Sequence, residues 1–305
     1  MPVENRDKIQ AVQRMQEYII GHADTEIDID KLAAASGYSR FHASRLFKQY
    51  IGQTPSDYIR AVRLSHAAEN LRDTGERVLD TALNASFESH DGFTRAFSKQ
   101  FGIGPAAYQR ETPPISLFTY YPVTHAFLHY KKRNDNEMSK ATGPAAVTVQ
   151  AIDRPARKLM ILRSQKAEDY MSFCGEMGCD WAGMMNSVAE KFDNAALLEL
   201  PKHLVTAGTS AFVAGIEIPA DYTKPIPENM EALELPACKM LYFRGSPYEN
   251  EDDFCEAIEI VTEAMRNYKP EEYGFSYAFD LAPRFNFGAS AAGGAKMAVP
   301  VEESK

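Results

Sequence analysis

A segment of sixteen residues occurs twice in this chain, and the second copy begins fifty residues after the first. The copies are RLFKQYIGQTPSDYIR at residues 45–60 and RAFSKQFGIGPAAYQR at residues 95–110. Arginine, phenylalanine, glycine, proline, tyrosine and arginine recur at the same places. An internal repeat of this length indicates a supersecondary unit that is used twice. Because each copy carries an arginine before a Gly-x-x-Pro break, we expect two similar helices, as a protein needs in order to read two places on one DNA duplex.

The composition is that of a soluble globular protein large enough for two domains. The chain has 305 residues, of which 45% are hydrophobic and 25% are charged, and chains of this length usually divide into two domains. No apolar run is long enough to span a membrane, and the N-terminus lacks the features of a signal peptide. All four cysteines lie in the second half, without the spacing of a metal site. We therefore predict free thiols, no metal or other cofactor, no membrane partner and a cytoplasmic location.

The net charge of −9 is concentrated in the second half of the chain. Residues 1–112 carry 14 basic and 15 acidic side chains, a net charge of −1, whereas residues 145–305 carry 15 and 25, a net charge of −10. The N-terminal part is therefore neutral and lacks the bulk positive charge of many DNA-binding proteins. Affinity for DNA would have to come from basic side chains that are placed on one face.

Hydrophobic spacing and capping residues predict a series of helices in the first 112 residues. Apolar steps of three and four between Ile9 and Ile19 indicate an amphipathic first helix. Further helices are expected at residues 30–36, 39–50, 54–72, 78–85 and 90–101, separated by glycine and proline breaks. Each half of this region thus combines a short helix, a tight turn and a second helix, which is a helix-turn-helix arrangement. The long helix from Pro55 joins the two units.

The second helix of each unit has a polar face, and the arginines on these faces occupy equivalent positions. Arg45 and Arg95 can each form a bidentate pair with guanine in the major groove. Phe41 lies on the same face, where it would meet a thymine methyl group or pack as an ordinary aromatic residue. A solvated surface is the alternative for either face, but its recurrence after the same turn favours DNA. The candidate DNA-binding residues are Ser39, Arg40, Phe41, Ser44, Arg45, Lys48, Ser89, His90, Asp91, Thr94 and Arg95.

These motifs resemble those of the AraC/XylS family of bacterial transcription regulators. The resemblance covers about residues 6–112 and rests on Leu32-Ala-x3-Gly37-Tyr-Ser39-x5-Arg45-x-Phe47-Lys, Gly52-x-x-Pro55-x-x-Tyr58 and Phe87-Glu-Ser89-x5-Arg95-x-Phe97-x4-Gly102-x-x-Pro105-x-x-Tyr108. It implies two helix-turn-helix units on one chain, each of which presents its second helix to double-stranded DNA. Because one chain carries both units, it can bind DNA as a monomer. RNA polymerase is a further candidate partner.

The second unit departs from the family pattern at three positions. Ser86 replaces the glycine of the turn, and a positive φ there would strain a serine by roughly 1 kcal/mol. Gly92 lies inside the predicted reading helix, where glycine costs about 1 kcal/mol relative to alanine. Asp91 faces DNA, where it would repel phosphate or accept a hydrogen bond from cytosine. We therefore expect the first unit to dominate sequence recognition.

From residue 146 onwards the pattern changes from helices to strands. Residues 113–145 are predicted to be a linker that includes an extended brace at residues 115–130. Strands are expected at residues 147–151, 157–163, 209–218, 238–244 and 273–280, and helices at residues 179–192 and 251–267. The Gly/Ala-rich end, residues 289–305, is expected to be a flexible tail. The predicted fold class is multidomain, with an all-α double helix-turn-helix domain at residues 1–112 followed by an α+β domain at residues 146–288.

The C-terminal domain resembles the GyrI-like effector-binding domains. The resemblance rests on the order of elements and on the short motifs Gly215-Ile-Glu217-Ile-Pro219 and Leu235-Pro236-Ala237-x3-Leu-Tyr242-Phe243. It implies duplicated strand-helix-strand units with a groove that binds a small-molecule effector, often cationic, aromatic or amphipathic. Aromatic faces and carboxylates suit a cation, although an aromatic stripe is equally often core. The candidate effector-binding residues are Trp181, Glu217, Tyr242, Tyr277, Phe279 and Asp280.

The predicted function is therefore that of a DNA-binding transcriptional regulator with a sensor domain, and not that of an enzyme. Two alternatives stay open for the C-terminal domain. It could dock a protein partner in place of a ligand, or it could be a hydrolase with Glu217 as the base. The sequence offers no pairing of a nucleophile with a base in support of the hydrolase.

Overall fold

The computed structural model describes residues 3–25, 27–124 and 146–304. These residues form two compact units, the helical unit (residues 3–124) and the sheet unit (residues 146–304). Each is described by itself. The part of the predicted linker at residues 125–145 lies outside the described residues.

Helices dominate the described part of the helical unit. They are α1 (Val3–Gly21), α2 (Ile29–Ser36), α3 (Arg40–Ile51), α4 (Pro55–Asp73), α5 (Val78–Asn84), α6 (His90–Phe101) and α7 (Pro105–Glu111). Thr54 caps α4, because its hydroxyl accepts a hydrogen bond from the backbone N–H of Asp57 at 3.2 Å. Gly52 and Gly102 end α3 and α6 with φ angles of 87° and 72°, a conformation that favours glycine. The predicted helices and breaks of this region are confirmed.

The repeated segment builds the same core contact twice. Phe47 and Tyr58 are buried with ring centroids 5.2 Å apart, and their counterparts Phe97 and Tyr108 are buried with centroids 5.7 Å apart. The first pair joins α3 to α4, and the second pair joins α6 to α7. In each case the second helix follows a Gly-x-x-Pro break. Packing of this kind fixes how each reading helix sits in its unit, which explains why these residue types recur.

Helix α4 belongs to both cores. Tyr58 and Val62 in its first half pack in a cluster with α1, α2 and α3, whereas Leu64 and Leu71 in its second half pack in a cluster with α5, α6 and α7. One continuous helix therefore connects the two helix-turn-helix units, and burial along its whole length favours a rigid connection.

The segment that follows α7 packs back onto the helices. Ile115 and Leu117 are buried in the second cluster, and Phe118 contacts Tyr58 with ring centroids 4.7 Å apart. The backbone N–H of Phe118 donates to the hydroxyl of Ser65 at 2.7 Å. The predicted extended brace is present in the described residues, but it belongs to the helical unit, which therefore extends beyond the predicted boundary at residue 112.

Residues 146–304 contain one sheet in which all the described strand pairs are antiparallel. Its strands are β1 (Val147–Arg154), β2 (Arg157–Arg163), β3 (Ala196–Glu199), β4 (Phe212–Pro219), β5 (Glu231–Leu235), β6 (Cys238–Gly245), β7 (Phe275–Tyr277), β8 (Arg284–Ser290) and β9 (Gly294–Glu303). The strand order is β1-β6-β9-β8-β3-β4-β2-β5, and β7 pairs with β9. Helices α8 (Tyr170–Met177), α9 (Trp181–Asn186) and α10 (Phe254–Asn267) connect strands of this sheet.

The strand order has an internal symmetry. Strands β1, β2, β3 and β4 correspond to β5, β6, β8 and β9, respectively. When each strand is replaced by its counterpart, the strand order becomes its own reverse. Helices α8 and α9 follow β2, and α10 follows the equivalent strand β6. The predicted fold class, a helical domain followed by an α+β domain of duplicated strand-helix-strand units, is therefore confirmed.

The sheet is strongly curled, because two short connections join strands that are far apart in the strand order. Only Pro155 and Ala156 separate β1 from β2, and only Pro236 and Ala237 separate β5 from β6. Two linking residues span about 10 Å at most, whereas six strand spacings in a flat sheet would need about 29 Å. The two edges must therefore approach each other. One face of the sheet becomes an interior, which holds Leu159, Val213, Met240 and Phe285, and the other face carries the helices.

Several predictions for the sheet unit are wrong in detail. Residues 294–303 are not a flexible tail but strand β9, whose residues 294–301 are almost all buried and which pairs with β6, β7 and β8. The strand predicted at residues 273–280 is reduced to β7, because Gly274 has a φ of 80° that breaks the extended run. The helix predicted at residues 179–192 covers only α9, and α8 was not predicted.

None of the helices in the described residues is long and apolar enough to cross a membrane. No disulfide joins the four cysteines, all of which lie in the described residues.

Candidate nucleic-acid interface and C-terminal polar cluster

The polar face of α3 is fully available to a ligand. Arg40, Phe41, Arg45 and Lys48 are exposed, and the Phe41 side chain, at 80% exposure, is the most exposed large apolar side chain among the described residues. The opposite face of α3 is buried in the first cluster through Ala43, Leu46 and Phe47. An exposed phenylalanine beside three basic side chains has the chemistry to contact both base methyl groups and phosphates.

Helix α6 presents the equivalent face with a different charge. Arg95 is exposed, as are His90 and Asp91, and the Asp91 carboxylate lies 3.6 Å from Nδ1 of His90. The hydroxyl of Thr94 is buried, and no hydrogen-bond partner for it is present among the described residues. The acidic side chain makes this face less attractive to phosphate than the face of α3.

The two reading helices begin differently. Ser89 caps α6 by accepting a hydrogen bond from the backbone N–H of Gly92 at 3.1 Å. A Cβ at position 92 would lie only 3.1 Å from this hydroxyl, so a glycine there suits the cap. Ser39 stands at the equivalent place before α3, but its side chain makes no capping hydrogen bond. Ser39 is exposed, so its side chain remains available to a ligand.

The turn of the second unit contains the strained serine that the sequence predicts. Ser86 has a φ of 59°. Its N–H donates to the carbonyl of Leu83 at 2.9 Å, and the N–H of Phe87 donates to that of Ala82 at 3.1 Å. These two bonds form a Schellman motif, in which the position of Ser86 favours glycine. The first unit has Gly37 at the corresponding end of α2, with a φ of 75°.

A polar cluster lies at the interior face of the sheet unit. The carboxylate of Glu217 on β4 accepts a hydrogen bond from Nε of Arg157 at 2.5 Å and lies 3.2 Å from Nε of Arg154. Asp193 forms an ion pair with Arg154 and accepts hydrogen bonds from the Tyr242 hydroxyl at 2.6 Å and from Nζ of Lys296 at 2.5 Å. We call Arg154, Arg157, Asp193, Glu217, Tyr242 and Lys296 the polar cluster. Its ionised groups carry a net charge of +1.

Burial raises the pKa of two groups in this cluster. Burial raises the pKa of the Glu217 carboxyl, and the guanidinium groups of Arg157 and Arg154 act in the opposite direction. Burial also raises the pKa of the Tyr242 phenol, and the hydrogen bond to Asp193 adds to this shift. Tyr242 therefore stays protonated at neutral pH and donates its hydrogen bond.

Comparison with known proteins places the helical unit in a family. A helix-turn-helix domain family matches residues 32–111. The regulatory protein SoxS of Salmonella typhimurium is 36% identical over 100 residues, which are 33% of this chain and 94% of SoxS. The chain belongs to the AraC family of transcriptional regulators.

Other matches cover between a third and a half of this chain. The transcriptional regulator Rob of Salmonella typhimurium is 38% identical over 130 residues, which are 40% of this chain and 45% of Rob, so the match spans about half the length of that relative. The structure of a probable AraC family regulator from Rhodopseudomonas palustris is 31% identical with a TM-score of 0.32, and the match covers 33% of this chain and 94% of that chain.

The structure of SAV2435 bound to tetraphenylphosphonium matches 51% of this chain and 94% of its own at 12% identity, with a TM-score of 0.33.

The structure separates most of the predicted effector-binding residues of this AraC-family protein. Glu217 and Tyr242 share a contact with Arg154, which lies 3.2 Å from the Glu217 carboxylate and 2.6 Å from the Tyr242 hydroxyl. Trp181 is buried on the helix-bearing face against Phe173, with ring centroids 5.8 Å apart. The structure therefore does not bring Trp181 together with Glu217, because Trp181 packs from α9 onto the helix-bearing face and Glu217 points to the interior face.

The remaining candidates lie near β7. Tyr277 packs on the helix-bearing face, where its hydroxyl donates to the Met265 carbonyl at 3.3 Å. Phe279 is exposed and stacks on Tyr277 with centroids 5.1 Å apart, and Asp280 is exposed in the loop that follows. These three residues do not reach the polar cluster. Strand β7 ends at Tyr277, and Phe279 and Asp280 lie in a turn in which the N–H of Leu281 donates to the carbonyl of Ala278 at 2.9 Å.

Sequence reasoning missed most of the polar cluster. Arg154, Arg157, Asp193 and Lys296 were not among the candidates, although Arg154-Pro-Ala-Arg157 places two arginines around a tight connection between two strands. That spacing was the one available signal. The partner acids lie 39 and 60 residues further along the chain, so no local pattern indicates the pairing.

Replacing Ser86 with glycine should stabilise the helical unit. The Ser86→Gly variant keeps both hydrogen bonds of the Schellman motif and removes the strain of a positive φ, so its free energy of unfolding should rise by roughly 1 kcal/mol. Urea denaturation followed by far-ultraviolet circular dichroism at 222 nm measures this change. Ser98→Gly, inside α6, is the control. It should lower the free energy of unfolding by up to about 1 kcal/mol, because glycine is unfavourable in the interior of a helix. A loss of stability in Ser86→Gly would contradict the strain.

Proposed function

We propose that this protein regulates transcription in the cytoplasm by reading a specific double-stranded DNA site with α3 and α6. The observation that carries the proposal is the repeated geometry: two helices expose arginines at equivalent positions over the same Phe–Tyr core contact. In bound helix-turn-helix proteins the second helix enters the major groove, and two such helices on one chain would enter successive grooves about 34 Å apart. A monomer is then sufficient for binding.

The two reading helices should contribute unequally. The face of α3 offers Arg40, Arg45 and Lys48, whereas that of α6 offers Arg95 beside Asp91. Phosphate contacts supply most of the nonspecific affinity, so the balance of charges favours α3. Arg40 lies 3.7 Å from Asp30, and both side chains are exposed. Such an ion pair is weak, so it does not prevent Arg40 from contacting DNA.

The salt dependence of DNA binding tests this proposal. We expect log K to fall linearly with log[salt], with a slope of about −4 to −6 for five or so phosphate contacts. Lys48→Ala should make the slope shallower by about 1 and weaken all DNA sequences alike. The measurement is fluorescence anisotropy on a duplex selected from a random pool, with a scrambled duplex for comparison. A slope near zero would exclude the phosphate contacts.

For the sheet unit we propose a role as the sensor of a small organic ligand. Its duplicated architecture and interior polar groups support this role, as does its separation from the DNA-reading unit. The alternative in which Glu217 acts as the base of a hydrolase has little support, because Glu217 is 3% exposed and each of its oxygens lies against an arginine.

A ligand screen on the full chain tests the sensor. Trp181 is the only tryptophan and lies in the sheet unit, so its fluorescence reports that unit alone. The panel should contain neutral, anionic and cationic aromatic compounds. A compound that raises the fluorescence-detected melting temperature and changes DNA affinity several-fold supports sensing. A panel without any such compound favours the docking of a protein partner.

A further inference from the structure

The ammonium group of Lys296 on β9 is surrounded by two aromatic rings and a carboxylate. Its ammonium nitrogen is 4.4 Å from the ring centroid of Phe287 and 4.9 Å from that of Tyr242. The same nitrogen donates to Oδ1 of Asp193 at 2.5 Å. The two rings are stacked, with an interplanar angle of 19° and centroids 6.1 Å apart. The ammonium group is thus held by two aromatic faces and one carboxylate.

These are the groups that bind an organic ammonium ion. A cation within about 6 Å of an aromatic centroid is attracted by the ring quadrupole, and the attraction grows as the site loses water. Asp193 adds opposite charge and is oriented by the hydroxyl of Tyr242, which donates to its other oxygen at 2.6 Å. The side chains of Asp193 and Lys296 are only 17% and 23% exposed, so water screens this attraction incompletely.

We propose that Asp193, Tyr242 and Phe287 form a binding cage for a primary ammonium ion and that the chain's own Lys296 fills it. An attached group competes at an effective concentration in the millimolar range or above, so a dilute external amine cannot displace it. The net charge of the polar cluster is +1 while Lys296 is in place, and this positive charge also disfavours the binding of an external cation. The native protein therefore excludes organic cations from this cage, and truncation of Lys296 opens it to a small alkylammonium ion.

The test uses the full-length Lys296→Ala variant and n-propylammonium, which matches the atoms that the substitution removes. The readout is the thermal unfolding of the sheet unit, followed by Trp181 fluorescence. We expect a lower melting temperature for Lys296→Ala than for the unsubstituted protein. Tens of millimolar n-propylammonium chloride should then raise it by several degrees relative to the same concentration of sodium chloride. The neutral analogue 1-propanol should not produce this rise.

Lys239→Ala is the matched control. Lys239 is as exposed as Lys296, and its ammonium group pairs at 2.6 Å with Asp153, whose side chain is 84% exposed. Among the described residues, no aromatic ring makes a cation–π contact with Lys239. Neither this variant nor the unsubstituted protein should respond to n-propylammonium. The proposal is overturned if Lys296→Ala does not respond, or if the control or 1-propanol gives an equal response.

A second measurement needs no substitution and covers the case in which Lys296→Ala does not fold. Reductive methylation of the native protein, followed by peptide mass spectrometry, should modify Lys296 several-fold more slowly than Lys239, because two rings cover the ammonium group of Lys296 and its carboxylate partner is largely buried, whereas Lys239 pairs only with the exposed Asp153. Equal rates at the two lysines would contradict the cage. These outcomes do not depend on the sensor role, since they concern only the occupancy of the cage, and a failed ligand screen would leave them unchanged.

Discussion

Replacement of Arg45 with alanine should weaken binding to a selected DNA site by roughly 10- to 100-fold. The expected loss corresponds to about 1–3 kcal/mol, the contribution of one bidentate arginine–guanine pair. Arg95→Ala should cost less than about tenfold, because Asp91 and the strained turn at Ser86 weaken the second unit. Affinity for a scrambled duplex should fall much less than affinity for the selected site in both variants, since the lost contacts read bases.

Arg110→Ala provides the control for this comparison. Arg110 is the last arginine of the second repeat copy, but it lies on α7 and pairs with Glu111 at 2.6 Å. Its replacement should leave the preference for the selected site unchanged. Equal losses from Arg45→Ala and Arg95→Ala would show that the two units read DNA equally, in conflict with the proposed ranking.

Replacement of Arg157 with alanine should destabilise the sheet unit by about 3–5 kcal/mol, the range expected when one partner of a buried ion pair is removed. The Arg157 side chain is fully buried. It donates to Glu217 and to the carbonyl of Pro236 at 2.8 Å. The variant leaves both acceptors with fewer donors in a site that water does not reach. In a unit of this size the melting temperature should fall by about 10 °C or more.

Trp181 fluorescence during urea denaturation measures this loss in the full chain, since the only tryptophan lies in the sheet unit. Arg284→Ala is the control. Arg284 pairs with Glu199 at 2.6 Å between β8 and β3, but both side chains are about half exposed. An exposed pair contributes about 0–1 kcal/mol. If both variants lost equally little stability, the closure of the curled sheet would not depend on the polar cluster.

The helical unit could be predicted closely because its signals are local. Gly52 and Gly102 end helices, and Thr54 and Pro55 begin one. These capping preferences act within a few residues and therefore stand in the sequence itself. Phe47 and Tyr58 recur as Phe97 and Tyr108, and each pair makes the same core contact, because a repeated unit packs twice in the same way.

The sheet unit could be predicted only in outline. Strands β1 and β2 were predicted, but β9 has the small residues of a mobile segment and is nevertheless buried between β6 and β8. Strand pairing depends on distant partners, which a local pattern does not contain. The same limit applies to the candidate site: Glu217 was found as an acid, while the arginines that hold it were not.

The sequence by itself determined that this chain carries two helix-turn-helix units, that their arginines occupy equivalent positions and that the second unit differs by a serine in its turn and an aspartate beside its arginine face. These properties follow from side-chain type and spacing within single elements. Only the tertiary structure decided that the sheet curls until its edges approach each other, that Trp181 and Glu217 lie on opposite sides of the sheet, and that Lys296 contacts the ring pair of Tyr242 and Phe287. The reason is that two-residue connections between strands far apart in the sheet order impose a closure that no single element encodes.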